Sequence, residues 1–150
     1  MNGLNSINLL TDQVKSHKSS QHKNSLSLNL ILKIYKDNSK NMWLGTNGGG
    51  INTFSSLNLL MPHGLVDYSN SPINVIGFAE ASNEKLWAAS DSGALYYFKH
   101  GEPILEKQFQ LDNLVSQLLI DENDNLWLKT ETDSHIVLAT YLATIQPIKS

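Results

Sequence analysis

The ten residues Asp37-Asn-Ser-Lys-Asn-Met-Trp43-Leu-Gly-Thr46 recur twice further along the chain. The second copy reads Ala81-Ser-Asn-Glu-Lys-Leu-Trp87-Ala-Ala-Ser90, and the third reads Asp121-Glu-Asn-Asp-Asn-Leu-Trp127-Leu-Lys-Thr130. The first two tryptophans are 44 residues apart, and the last two are 40 apart. A repeat of about 40–50 residues is typical of propeller blades and of helical arrays.

The apolar pattern around each copy predicts strands rather than helices. A short apolar run precedes each copy, at 31–35, 75–78 and 115–120, and none of these runs repeats at helical spacing. After the tryptophan strand come a second turn and, in the first two copies, a third and a fourth strand. Because Trp43 and its neighbours make that strand apolar on both faces, it must be covered on both faces. Four short antiparallel strands per repeat therefore predict the blades of a β-propeller.

The start of the chain matches the third strand of a repeat. Gly3-Leu-Asn-Ser-Ile7 corresponds in residue type to Gly50-Ile-Asn-Thr-Phe54. We therefore predict an all-β partial propeller of about three four-stranded blades with a leading strand from an incomplete blade. Residues 1–24 form the end of that incomplete blade and a linker loop, 25–68 blade 1, 69–110 blade 2 and 111–150 a degenerate blade 3.

The stretch from Ser25 to Phe54 resembles the two-component regulator propeller repeat. Its markers are an apolar-Tyr-x-Asp strand, Trp-apolar-Gly-Thr, and Gly-Gly-apolar-Asn-x-Phe. The residues of the repeat motif are Asp37, Asn41, Trp43, Gly45, Thr46, Gly49 and Gly50 in the first copy, Trp87 and Gly93 in the second, and Asp121, Asn125, Trp127 and Thr130 in the third. The resemblance implies the periplasmic sensor region of a bacterial hybrid histidine kinase, and many such sensors respond to glycans.

The resemblance thus implies a non-catalytic, ligand-sensing propeller fragment whose ligand is a carbohydrate or another small molecule. Two alternatives remain open. One is a structural or protein-interaction propeller module without a ligand. The other is a fragment of a propeller lyase, which would need a cluster of histidine and acidic residues at the central channel.

Composition excludes several other functions. The net charge is −3 and there is no basic block, so we expect no nucleic-acid partner. No segment approaches the roughly 20 apolar residues of a membrane span, so we expect no direct membrane insertion. The resemblance implies a periplasmic location. Residues 1–10 do not resemble a signal peptide, however, so we expect a cytoplasmic location if the chain is expressed alone.

No catalytic, metal or cofactor site is predicted. Asp121, Asn123 and Asn125 alternate as in a calcium loop, but Leu126 stands where such a loop needs glycine. A hairpin turn explains them better, as it does the glycines 48–50. The five histidines are scattered; His17 and His22 fall in a polar stretch, 15–23, that we interpret as a solvated loop. The tryptophans could stack on sugars, yet their repetition favours core packing.

Three blades cannot close a ring, and this predicts self-association. The outer faces of the first and last blades should lack a neighbour and carry apolar side chains. For the last blade the candidates are Leu126–Leu128 and 136–138. We expect an open arc that associates through these faces, with all three tryptophans largely buried in equivalent positions.

Overall fold

A computed structural model of the chain describes residues 3–54, 60–63, 71–98, 105–130, 137–138 and 146–147. Every regular element in these ranges is a β-strand, and none is a helix that could cross a membrane. In chain order the strands are β1 (Leu4–Ile7), β2 (Val14–His17), β3 (Ile31–Lys36), β4 (Met42–Thr46), β5 (Ile51–Phe54), β6 (Leu60–His63), β7 (Val75–Glu80), β8 (Leu86–Ser90), β9 (Ala94–Phe98), β10 (Leu105–Gln110), β11 (Val115–Ile120), β12 (Leu126–Thr130), β13 (Val137–Leu138) and β14 (Gln146–Pro147).

The strands form consecutive antiparallel sheets. Strands β3 to β6 make one four-stranded sheet, blade 1, and β7 to β10 make the next, blade 2. Strands β11 and β12 open blade 3, while β1–β2 and β13–β14 are separate pairs. The sheets of the described residues do not close into a ring, and the predicted all-β partial propeller is confirmed.

The first two strands of each blade pair in the same register and contain a β-bulge at the same position. Each tryptophan pairs across its first hairpin with the same position of the preceding strand, as Tyr35↔Trp43, Ala79↔Trp87 and Leu119↔Trp127. The register of each first strand also shifts at its second residue, which is Leu32, Ile76 or Ser116. One extra residue at the same place in each blade bends every first strand alike.

The turn between the first and second strands is also the same in all three blades. The N–H of Asp37 donates to the carbonyl of Asn41, and the N–H of Lys40 donates to the carbonyl of Asp37. Residues 81–85 and 121–125 repeat both hydrogen bonds. The fourth turn residue has a positive φ in each blade: 68° at Lys40, 62° at Glu84 and 61° at Asp124. This is a hairpin loop of a type I turn followed by a left-handed residue.

Strands β1 and β2 are the third and fourth strands of an incomplete blade. Leu4 pairs with His17 as Ile51 pairs with His63, and the rest of the two registers coincides. The sequence analysis predicted the leading strand from its likeness to β5. Our prediction of a loop over 15–23 is wrong for Lys15–His17, because these polar residues form a strand that is exposed on most of its surface.

The core lies between blades. One face of blade 1 carries Leu44, which packs with Leu4 and Leu26. The opposite face carries Trp43, which packs against Phe78 and other residues of blade 2. Blade 2 faces blade 3 through a further cluster around Leu95 and Leu126. The tryptophan face of each blade is thus the face turned toward the blade that follows.

The three tryptophans differ in how completely they are buried. Trp43 is only 1% exposed because Phe78 and Phe98 of blade 2 lie 6.3 and 5.3 Å from it, between ring centroids. Trp87 and Trp127 occupy equivalent positions, but both are half-buried. Trp87 meets the smaller Leu118 where Trp43 meets Phe78, and Trp127 faces the side of blade 3 turned away from blade 2.

Within the range Leu126–Leu128 that was predicted for the free face of blade 3, only Trp127 lies on that face. Leu126 and Leu128 are buried against blade 2. Since Leu119 pairs with Trp127, both side chains lie on the opposite face, where Leu119 is 59% exposed. The other candidate, Ile136, lies outside the described residues, as do His100 and His135. The side chains of 137–138 are likewise not described.

Candidate functional site

The best-defined polar group in blade 1 is a buried carboxylate beneath the tryptophan ring. Asp37 Oδ2 accepts hydrogen bonds from Trp43 Nε1 (2.8 Å) and from Asn41 Nδ2 (3.0 Å). Asp37 Oδ1 accepts from the Asn41 backbone N–H (2.7 Å). The turn and the ring are therefore fixed to each other by one side chain, and we call this three-residue unit the Asp–Trp clamp.

Blade 3 repeats the clamp. Asp121 Oδ2 accepts from Trp127 Nε1 (2.7 Å) and Asn125 Nδ2 (3.0 Å), and Oδ1 accepts from the backbone N–H groups of Asn123 and Asn125. The hydrogen bonds from Asn125 and then from Trp127 lower the pKa of Asp121 to about 2. Its oxygens are occupied by donors from its own hairpin, which explains the alternating acidic and amide residues without a bound cation.

Blade 2 lacks the clamp because Ala81 occupies the position of the aspartate. Trp87 instead stacks on Tyr97 and Phe109, with ring centroids 5.3 and 5.9 Å away. Lys85 stands in the place of the clamp asparagine, and its ammonium lies 4.8 Å from the centre of the Tyr97 ring. Two of the three clamp residues are thus replaced in blade 2, and Trp87 is held by aromatic packing instead.

The turn between the second and third strands contains the threonine and glycines of the motif. Thr46 Oγ1 donates to the carbonyl of Gly50 (2.8 Å), and Gly50 has a φ of 69°. A Cβ on Gly49 would come within 2.7 Å of Ser27 Oγ and 2.9 Å of Thr46 Oγ1, so a side chain there would require these hydroxyl groups to shift. In blade 2 Ser90 and Gly93 make the equivalent turn, and in blade 3 Thr130 is buried.

Gly45 lies at a close approach between blades 1 and 2. A Cβ at this position would lie 2.6 Å from the Val75 carbonyl oxygen. Blade 2 has Ala89 at the matching position, fully buried, and blade 3 has the exposed Lys129. The side chain at this position thus becomes larger from blade 1 to blade 3, and no blade after blade 3 is among the described residues.

Carboxylates also link the turns of successive blades. Glu80 Oε2 accepts from the Asn38 N–H (2.9 Å), and it lies 3.5 Å from the Tyr35 hydroxyl. Burial raises the pKa of both Glu80 and Tyr35. At the next boundary Ser82 donates to Asp124 from its N–H and its hydroxyl, which lowers the pKa of Asp124.

The opposite end of the blades has its own links. The Gly48 N–H donates to the Ile73 carbonyl across the first boundary, and the Val115 N–H donates to the Asp91 carbonyl across the second. Asp91 Oδ2 also accepts from Asn74 Nδ2 (2.7 Å). This end therefore presents exposed or half-buried amide and carboxylate groups at each blade boundary.

Several of these residues were missed by the sequence analysis. Asn52 is fully buried, and its amide exchanges hydrogen bonds of 2.8 and 2.9 Å with Ser27. Asn52 lies in the Gly-Gly-Ile-Asn-Thr-Phe stretch of the repeat motif, and this position could have identified it as a structural residue. Glu80 and Ser82 carry no comparable signal, because their partners lie 42 residues away in the sequence.

No arrangement for acid–base or metal chemistry is found in the described ranges. No three histidine or acidic side chains there are placed to hold a metal ion. His17 packs edge-on against Phe54 at 5.1 Å between ring centroids, and burial followed by the charge of Lys15 lowers its pKa. His17 therefore fills the gap between the incomplete blade and blade 1.

The hairpin that carries the clamp of blade 1 coincides with a known repeat. Residues 25–48 match the family model of the two component regulator propeller. The chain carries a two-component regulator propeller repeat. No curated protein matches the sequence.

Solved structures share the propeller fold. The extracellular domain of the hybrid two-component system BT4673 from B. thetaiotaomicron superposes on 98% of this chain with a TM-score of 0.77 and 20% identity. That of BT3049 from the same organism covers 81% with a TM-score of 0.67 and 19% identity. Virginiamycin B lyase from Staphylococcus aureus covers 99% with a TM-score of 0.76 and 14% identity. The chain spans 20%, 17% and 49% of these proteins respectively.

Proposed function

We propose that this repeat chain is a non-catalytic recognition segment of a sensor propeller that acts outside the cytoplasm and binds glycans or similar polar small molecules. The observation that carries the proposal is the regulator repeat at 25–48, together with blades of the kind found in extracellular two-component domains. The aspartates of that motif are engaged in clamps, so they support the scaffold rather than chemistry.

The end of the blades that carries Gly48 and Asp91 is the better candidate for ligand contact. Amide and carboxylate side chains there can bond sugar hydroxyls, and Asn47 is exposed beside the first blade boundary. Backbone hydrogen bonds cross both blade boundaries at this end. A ligand held there would favour one relative arrangement of neighbouring blades, which is how a sensor shifts the population of its states.

A screen of oligosaccharides by isothermal titration calorimetry tests this proposal. Binding by at least one glycan is expected, with loss of affinity in Asn47→Ala. Asn38→Ala is the matched control, since Asn38 is an exposed asparagine at the other end of the same blade and should leave affinity unchanged. Equal loss in both variants, or no binding across the library, contradicts the proposal.

The lyase alternative is tested separately. Incubation with virginiamycin B should leave the antibiotic intact, because the described residues include no cluster of histidine and acidic side chains. Turnover that scales with protein concentration and survives further purification would instead support an enzyme.

A further inference from the structure

The turn between the second and third strands of blade 1 contains an asparagine followed by glycine. Asn47 is exposed, and Gly48 follows it with a φ of 82°. The same pair occurs once more in the sequence, at Asn2–Gly3, where Asn2 lies outside the described residues. An asparagine before glycine loses its side-chain amide readily, because glycine has no Cβ to hinder attack by its own nitrogen. The turn at Asn47 therefore presents a reactive pair to solvent.

Hydrogen bonds hold this pair in an unreactive arrangement. The Gly48 N–H donates to the carbonyl oxygen of Ile73 (3.1 Å), and the Asn47 N–H donates to that of Leu30 (3.0 Å). For attack, the Gly48 nitrogen must turn toward the side chain of Asn47 and lose its proton. While its N–H is bonded to Ile73, the peptide plane between Asn47 and Gly48 is fixed and this rotation cannot occur.

The acceptor of the Gly48 N–H lies in the segment that leads into blade 2. Ile73 is 2% exposed and belongs to the core cluster between blades 1 and 2, together with Val75. Asn47 also forms an isolated antiparallel bridge with the next residue of that segment, Asn74. The Gly48 nitrogen is thus held from across the blade boundary, and it is released when that boundary opens.

We propose that Asn47 is a site of spontaneous deamidation that reacts only when the boundary between blades 1 and 2 opens. The Gly48 nitrogen forms a bond to Asn47 Cγ and gives up its proton, while the Cγ–Nδ2 bond breaks and ammonia leaves with that proton. Water then opens the cyclic imide at either carbonyl, which yields aspartate or an isoaspartate whose backbone runs through Cγ. This inference goes beyond the proposed sensing function and does not depend on it.

The product should weaken the boundary that protects the site. Asn74 Nδ2 donates to Asp91 Oδ2 (2.7 Å), so a carboxylate already lies beside the bridge partner of Asn47. Deamidation adds a second carboxylate there, and like charges close together repel each other. Isoaspartate also lengthens the backbone of a turn whose geometry is fixed by hydrogen bonds. A modified chain should therefore open at this boundary more readily than an unmodified one.

Incubation of the full chain at neutral pH tests the proposal. Peptide mapping by tandem mass spectrometry follows conversion of Asn47 separately from that of Asn2, and a synthetic peptide of residues 41–54 gives the rate without the blade boundary. Conversion of Asn47 should be at least about tenfold slower in the folded chain, because only the open fraction reacts. Equal rates in chain and peptide would overturn the protection, and an unreactive peptide would overturn the site.

Two core variants distinguish opening of this boundary from unfolding of the whole chain. Phe78→Leu removes packing against Tyr35 and Trp43, whose ring centroids lie 6.1 and 6.3 Å from that of Phe78. The matched control is Leu118→Ala, which changes the equivalent position of blade 3 and so weakens the second boundary. Phe78→Leu should speed conversion of Asn47 about threefold or more, and Leu118→Ala should leave it unchanged. Equal acceleration by both would overturn the role of the first boundary.

Hydrogen exchange gives a test that needs no variant. The N–H of Gly48 must leave the Ile73 carbonyl both for exchange with solvent and for attack on Asn47. Protection of the Gly48 amide against exchange should therefore match the slowing of deamidation to within about threefold. A Gly48 amide that exchanges freely while Asn47 stays intact would contradict the proposed mechanism.

The effect of the product is tested with Asn47→Asp, and Asn47→Gln is the matched control. Glutamine keeps an amide in place but would have to form a larger ring, so Asn47→Gln should block deamidation at this position and leave protection of the Gly48 amide unchanged. Asn47→Asp should lower that protection about threefold or more. Protection equal to that of the wild-type chain would overturn the proposed weakening of the boundary.

Discussion

The Asp–Trp clamp of blade 1 should stabilise the chain more than the matching position of blade 2. The Trp43→Phe variant loses the hydrogen bond that the indole N–H donates to the buried carboxylate of Asp37. This loss should cost about 1.5–3 kcal/mol. The smaller ring leaves space beside Phe78 and Phe98, at a further cost of about 1–2 kcal/mol. The free energy of unfolding should therefore fall by about 2.5–5 kcal/mol.

Trp87→Phe is the matched control because its ring is half-buried and has Ala81 instead of an aspartate. Its cost should be about 1 kcal/mol, since only packing is lost. Urea denaturation followed by far-ultraviolet circular dichroism measures both variants without relying on tryptophan emission. Equal costs at the two positions would refute the clamp.

A double-mutant cycle isolates the hydrogen bond from the packing. Asp37→Asn, Trp43→Phe and their combination should show a coupling energy of about 1–3 kcal/mol, as for residues in one polar network. A coupling energy near zero would mean that Trp43 acts through its size alone.

Three further outcomes follow from the described geometry. Because the pKa of Asp121 is lowered from 3.8 to about 2, its clamp should be complete above pH 3.8 and lost as the pH falls toward 2. The nuclear magnetic resonance signal of the Trp127 indole N–H should shift in that pH window, and the shift should be missing in Asp121→Asn. Gly45→Ala should cost about 1–3 kcal/mol in a urea titration, whereas Lys129→Ala at the equivalent position should change stability by less than about 0.5 kcal/mol. Lys40→Gly should raise stability by up to about 1 kcal/mol, because the left-handed φ of 68° strains a lysine but not a glycine; a loss of stability would contradict this explanation of the turn.

Local pattern predicted the strands around each tryptophan and their order. The apolar run before Trp43, the turn and the glycines define one blade, and the spacing of the tryptophans defines its repetition. The same local information predicted β1 from its likeness to β5. It predicted a loop over 15–23 where β2 extends to His17, because a polar four-residue edge strand differs little in sequence from a loop.

The contacts between blades could not be predicted in the same way. Leu119 and Leu118 are adjacent leucines, yet one is exposed and the other is buried against blade 2. Which of them is covered depends on the presence of a neighbouring blade, not on the blade itself. Trp127 is half-buried for the same reason, although its strand is nearly identical to that of Trp43.

The pairing of each strand with its immediate neighbour in sequence has a consequence for folding. Every hydrogen-bonded strand pair among the described residues joins strands that are consecutive in sequence, so a blade can form before the rest of the chain is available. Blades then stabilise only the blades next to them, as in a one-dimensional array of coupled units. Amide hydrogen exchange should therefore be slowest in blade 2, which has neighbours on both sides, and faster toward β1 and β12. Protection that was uniform along the chain would instead indicate one all-or-none folding unit.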